Sequence, residues 1–141
     1  MIIAVDFDGT IVEHNYPKIG RPIPFAIDTL LQLQRDNHKL ILWTVREGDL
    51  LQEAIDYCAD RGLYFAAHNE NYNGEERSKA SRKLSVDLFI DDRNLGGLPD
   101  WGVIYNAVKA TDRGENVWQY IISHHTLKDP PRIKRKKGWF W

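Results

Sequence analysis

Apolar and polar positions come in blocks along this chain. Ile2-Ile3-Ala4-Val5 runs apolar without a break and then gives way to Asp6-Phe7-Asp8-Gly9-Thr10. A short apolar run without alternation predicts a strand buried on both faces, as in a parallel sheet. Leu40 to Trp43 is a second such run, Leu63 to Ala67 a weaker third, and Val86 to Ile90 a fourth. Helical spacing fills the intervals. Pro22-Ile23-Pro24 is expected to open a first helix, with Ile23, Ile27, Leu30 and Leu31 on one face and Asn37-His38 at its end. Asp49 followed by Gln52 reads as a capping box. Leu51, Ala54, Ile55 and Cys58 then form the core-facing stripe, and Gly62 ends the helix. Residues 78–84 suit a short helix or turn. Asp100 is expected to cap a helix carrying Trp101, Ile104, Tyr105 and Val108, and a last amphipathic helix spans Glu115 to His124. Strand alternates with helix throughout, which predicts an α/β fold on a parallel sheet.

Composition narrows the class. A chain of 141 residues with 43% hydrophobic and 28% charged residues can build one domain with a real core. No apolar run approaches the roughly 20 residues of a membrane span. The strand-like run starts at Met1 with no basic, apolar leader before it, so no secretory signal is expected. Cys58 is the single cysteine, which excludes an intrachain disulfide and a four-cysteine zinc site and fits a reducing, cytoplasmic setting. At its place in the stripe Cys58 is expected to be a small buried hydrophobe. The formal net charge of −1 hides an asymmetry: residues 128–141 carry six basic side chains against Asp129 alone, +5, which leaves −6 for the rest.

The chemistry sits at the ends of the strands. Asp6 and Asp8 follow the first, Thr44 the second, and Asp91 with Asp92 the fourth. In a parallel sheet these carboxyl ends share one face, where open α/β sheets bind ligands. Carboxylates gathered there repel one another unless a cation or a shared proton relieves them, which points to a hard metal ion held by oxygen, most simply Mg²⁺. A carboxylate could then attack phosphorus while a second manages a proton. An ordinary Asp-Gly turn after a core strand is the plain alternative for the first motif.

Taken together, Asp6-Phe7-Asp8-Gly9-Thr10, Thr44, a lysine upstream of the last strand, and Asp91-Asp92 resemble the four signature motifs of the haloacid dehalogenase superfamily, in its phosphatase branch. The resemblance covers about residues 1–110, a catalytic domain, and leaves 111–141 as a C-terminal helix with a basic, aromatic tail. It implies a Rossmann-like three-layer sandwich with the first strand at the centre of the sheet. It implies phosphate monoester hydrolysis through an aspartyl-phosphate: Asp6 the nucleophile, Asp8 the general acid/base, Thr44 a hydrogen-bond donor to the phosphoryl group. Mg²⁺ would be held by Asp6, by Asp8 through its backbone carbonyl, and by Asp91, with Asp92 in support. The motif lysine is either Lys83, eight residues before Asp91, or Lys79. Neither usual insertion point has room for a cap domain, so the chain is similar to capless members, which act on large substrates or close the site with a neighbouring subunit.

Other residues have two readings each. Arg46 and Asn69 are the expected substrate contacts; turn formation is the alternative for Asn69 and Asn71. Glu47 stands at the same strand end. Arg93 suits an ion pair, and His14 lies in the loop over the site. His124 and His125 are adjacent on a helix and cannot share a face, which argues against a metal pair. The basic tail with Trp139, Phe140 and Trp141 is expected to make a subunit contact. Nucleic acid is the less favoured partner, and with it a nucleotide or nucleic-acid-end phosphatase. The rival of another class is a receiver-like phosphoacceptor domain. Receivers lack an Asp two positions beyond the phosphorylated one, and Asp8 supplies it here.

Overall fold

The computed structural model describes residues 1–124. Four strands, β1 (Ile2–Val5), β2 (Lys39–Leu42), β3 (Ala67–His68) and β4 (Leu88–Ile90), form one sheet in the order β3-β2-β1-β4. All pairings are parallel, with Val5 opposite Leu42 on one side and Ile90 on the other. The expected α/β class and the interior place of the first strand are therefore found. Four α-helices accompany the sheet: α1 (Ala26–Arg35), α2 (Gly48–Ala59), α3 (Trp101–Ala110) and α4 (Val117–His124). None of the described helices is long and apolar enough to cross a membrane.

Strand pleat divides the core in two. Ile3, Val5, Leu40, Leu42 and Ile90 project to one face and pack with Leu30 and Leu33 of α1, Ala54 and Cys58 of α2, and Trp101, Ile104 and Val108 of α3. Ala4 and Ile41 project to the other, where Ala67 and Leu84 bury them. Among the described residues, the cover on this second face comes from the segment between β3 and β4, not from a helix.

Several boundaries move, each for a local reason. α1 begins after Pro24, not at Pro22. A residue before proline is disfavoured in a helix, which sets Arg21 and Ile23 against one; Pro22 bridges Val12, and the Ile23 N–H donates to the Ile11 carbonyl at 2.9 Å. Asp49 lies inside the first turn of α2, and the residue before the helix, Glu47, makes no side-chain cap, so the capping box does not form. β3 is shorter and later than expected. Gly62, at φ 80°, ends α2 and the Leu63 N–H turns back to the Cys58 carbonyl at 2.9 Å, which leaves Leu63 in the main core before the strand starts. Residues 78–84 form turns. Asp100 caps α3 as expected, accepting from the Gly102 N–H at 2.8 Å. α4 packs on α3 and presents Trp118 and Ile122 outward.

Candidate functional site

Parallel register places the ends of β1 and β4 side by side. The Asp6 N–H donates to the Ile90 carbonyl at 2.9 Å, so Asp6 is pinned next to the Asp91-Asp92 pair. Asp6, Asp91 and Asp92 each offer an oxygen within 4.8 Å of the others, and all three are half-buried. The Asp6 carboxyl is pushed up to about 8, first by burial, then by the charge of Asp91 and by its hydrogen bond with Asp92. Thr10 and the Phe7 amide oppose that rise.

The turn after β1 is built to hold this cluster. Gly9 sits at φ 85°, and a Cβ there would lie 2.3 Å from Asp92 Oδ2, so the backbone approaches the carboxylate as only glycine allows. The buried Thr10 hydroxyl donates to Asp6 Oδ2 at 3.0 Å and accepts from the Asp92 N–H at 3.1 Å, joining the two strand ends. The indole of Trp101 donates to the Thr10 carbonyl at 3.1 Å, which braces the turn from α3. The sequence marks Thr10 as a motif residue and Trp101 as core; these polar contacts link positions about 80 to 90 residues apart and leave no local signal.

Asp8 faces elsewhere. Its two oxygens accept from Arg46 Nε at 2.7 Å and Nη2 at 2.8 Å, and its side chain is not part of the three-carboxylate group. The expected backbone role of Asp8 toward a metal does not involve that side chain. Arg46 is 0% exposed, and its remaining N–H groups go to the carbonyls of Pro17, Lys18 and Leu50. Hydrogen bonding to Asp8 holds its guanidinium above the ordinary range, against the effect of burial. The expectation that Arg46 contacts substrate is therefore corrected: with every donor used inside the protein, none is left for a ligand.

Neither lysine joins the cluster. Lys79 pairs with Glu76 at 2.8 Å, both exposed, and the Lys83 ammonium lies 5.4 Å from the centre of the Phe89 ring. The reason is the turn structure of 78–84, which provides no helix to aim either side chain at the carboxylates.

Thr44 and Asn69 stand at the adjacent ends of β2 and β3. Asn69, at φ 54°, accepts from the Thr44 N–H through Oδ1 at 2.8 Å and donates from Nδ2 to the Arg46 carbonyl at 3.3 Å. Its side chain thus fixes the strand end. The Thr44 hydroxyl accepts from the Arg46 N–H at 3.1 Å. Both residues border a cleft of about 320 Å³ that is also walled by Trp43, Glu47, Arg77 and Arg82. Arg77 and Arg82 were not singled out in the sequence, where they read as charges in a polar run. Asn71 ties the far wall together, donating to Glu75 and accepting from the Ser85 N–H at 2.7 Å. Exposed His14 and Arg93 meet at 3.4 Å beside the site. His124 stacks on Tyr120; His125 and the basic aromatic tail lie outside the described residues.

No family model matches the chain, and neither does any curated protein. Among solved structures, it is similar to that of a conserved protein from Bacteroides thetaiotaomicron. The two are 63% identical with a TM-score of 0.75, over 79% of this chain and 91% of that one. At that identity and coverage, this chain belongs to the same family as the conserved Bacteroides thetaiotaomicron protein.

Proposed function

We propose that this protein is a Mg²⁺-dependent phosphatase of the haloacid dehalogenase type, hydrolysing phosphate monoesters through an aspartyl-phosphate. The observation that carries this reading is the convergence of Asp6, Asp91 and Asp92 within 4.8 Å at the ends of adjacent parallel strands. Three hard oxygen donors in a site where burial first, and then the charge of Asp91, raise the Asp6 pKa fit a divalent cation better than they fit each other. Asp6, Asp91 and Asp92 would hold Mg²⁺, which supplies charge neutralisation to phosphoryl oxygens when bound.

The chain's own residues then divide the work. An Asp6 oxygen attacks phosphorus as the bond to the leaving oxygen breaks, and Asp8 gives that oxygen a proton. Water attacks the acyl phosphate, Asp8 takes the proton back, and phosphate departs with Asp6 restored. Thr44 donates to the phosphoryl group from the end of β2, at the border of the cleft. Cytoplasmic placement belongs to the same reading.

One observation favours a second reading. The Asp8 side chain lies outside the Asp6–Asp91–Asp92 group, so an aspartyl-phosphate on Asp6 could persist, as in a receiver-like signalling domain. Phosphate release from a panel of esters with Mg²⁺ separates the two. Turnover abolished by Asp6→Asn and cut to a small but measurable residual rate by Asp8→Asn is the expected result. No turnover, together with a stable acyl phosphate after treatment with acetyl phosphate, would favour the signalling reading. Preference for nucleotides or nucleic-acid ends in the same panel would bring the basic tail into the mechanism.

A further inference from the structure

The geometry points to Arg46 as the positioning residue that makes the Asp8 carboxylate and the 14–20 loop a single unit. The role given to Asp8 rests on the phosphatase reading; the anchoring of the loop rests on geometry alone.

Arg46 follows β2, yet its side chain bridges three separate pieces of the chain. Two N–H groups clamp Asp8 from the first motif at 2.7 and 2.8 Å. Two more reach the loop carbonyls of Pro17 and Lys18, both at 3.1 Å, and Nη1 stands 3.4 Å from the Leu50 carbonyl in α2. The guanidinium also lies 5.2 Å from the centre of the Phe7 ring and 5.3 Å from that of Tyr16, so an aromatic from the motif and one from the loop both meet it. Among the described residues, residues 14–20 have one other hydrogen-bonding contact with the rest of the chain, the exposed 3.4 Å approach of His14 to Arg93. Ile19 adds a partly buried apolar contact.

The choice of residue follows from this geometry. Removing a charge from water is costly, and a well-packed apolar pair commonly serves stability as well as a buried ion pair does. What an apolar pair cannot do is fix a carboxylate by both oxygens while holding two loop carbonyls. A planar fork with five donors can, and a lysine ammonium with three cannot match its geometry. Arg46 therefore sets where Asp8 points and where the loop over the site sits, and displacing either disturbs the other.

The test uses the full chain with Arg46→Lys, Asp8→Asn and the double variant. Two readouts apply: steady-state hydrolysis of the best ester with Mg²⁺, and the rate of tryptic cleavage after Lys18, located by mass. Misplacing a catalytic group by about 1 Å can cost on the order of 100-fold. Arg46→Lys is expected to lower kcat by that order with a smaller change in KM. In the Asp8→Asn background it should cost less than about 3-fold, since residues acting as one unit are non-additive. Cleavage after Lys18 should quicken in both single variants at a temperature where thermal unfolding shows them still folded. Equal kcat losses in the two backgrounds would overturn the positioning of Asp8. Unchanged cleavage after Lys18 in Arg46→Lys, or in Asp8→Asn should the lysine variant fail to fold, would overturn the anchoring. If the wild type hydrolyses nothing, the phosphatase reading falls and with it the role of Asp8, while the cleavage comparison still decides the coupling of Arg46 to the loop.

Discussion

At the scale of single residues, titration and steric fit give the sharpest expectations. The Asp6 carboxyl holds its proton up to about 8 in the folded chain, against 3.8 as its ordinary value. Between those values the folded state binds more protons than the unfolded state, so without metal stability falls as pH rises, and the loss is complete above about 8. A cation competes with that proton. Excess Mg²⁺ should therefore raise Tm more near pH 8 than near pH 5, which thermal unfolding with and without the ion will measure; equal shifts would argue against binding at Asp6. Gly9→Ala meets two obstacles, a left-handed backbone worth roughly 1–2 kcal/mol and a Cβ 2.3 Å from Asp92 Oδ2. Calorimetric Mg²⁺ titration should show weaker binding, alongside a lower Tm. Cys58 is buried and its thiol is pushed up to about 12 by that burial, so a thiol reagent at neutral pH should label it only as fast as the protein opens.

At the scale of elements, the first, second and fourth apolar runs and the stripe of α2 found their places because short-range pattern governs them, while the third run gave a strand only at Ala67–His68. The Ile2–Val5 strand and the face of α2 ending in Cys58 follow directly from spacing. Element ends did not, because they depend on partners. Residues 22–24 resemble a helix start by composition, yet Pro22 is claimed by its bridge to Val12. The cap of α3 is the exception, since an Asp before a helix acts locally. Asp100→Ala should cost about 1 kcal/mol in urea unfolding, and Asp100→Asn should recover most of it.

At the scale of the whole molecule, the sheet is sealed differently on its two faces. Helices cover Ile3, Val5 and Leu42, whereas Leu84, from a segment of turns, covers Ala4 and Ile41. Leu84→Ala should cost roughly 2 kcal/mol, near the low end for a buried leucine, because the small second cluster can partly collapse onto the gap. Leu30→Ala in the larger core should cost more, about 3–4 kcal/mol. Urea midpoints of the two variants give the comparison. Amide exchange within 69–87 should rise in the first variant only.

The sequence by itself determined the class of fold and the place where carboxylates gather. Both follow from patterns repeated every few residues, and parallel strands send all their carboxyl ends to one side. Asp6, Asp91 and Asp92 could be read together for that reason. Only the tertiary structure decided which charges belong to that group. It turned Asp8 onto Arg46, engaged every Arg46 donor inside the protein, and left Lys79 and Lys83 without an ion pair to the cluster. Those outcomes depend on side chains competing for partners tens of residues apart, under the demand that buried polar groups be satisfied. No local pattern records the result of that competition.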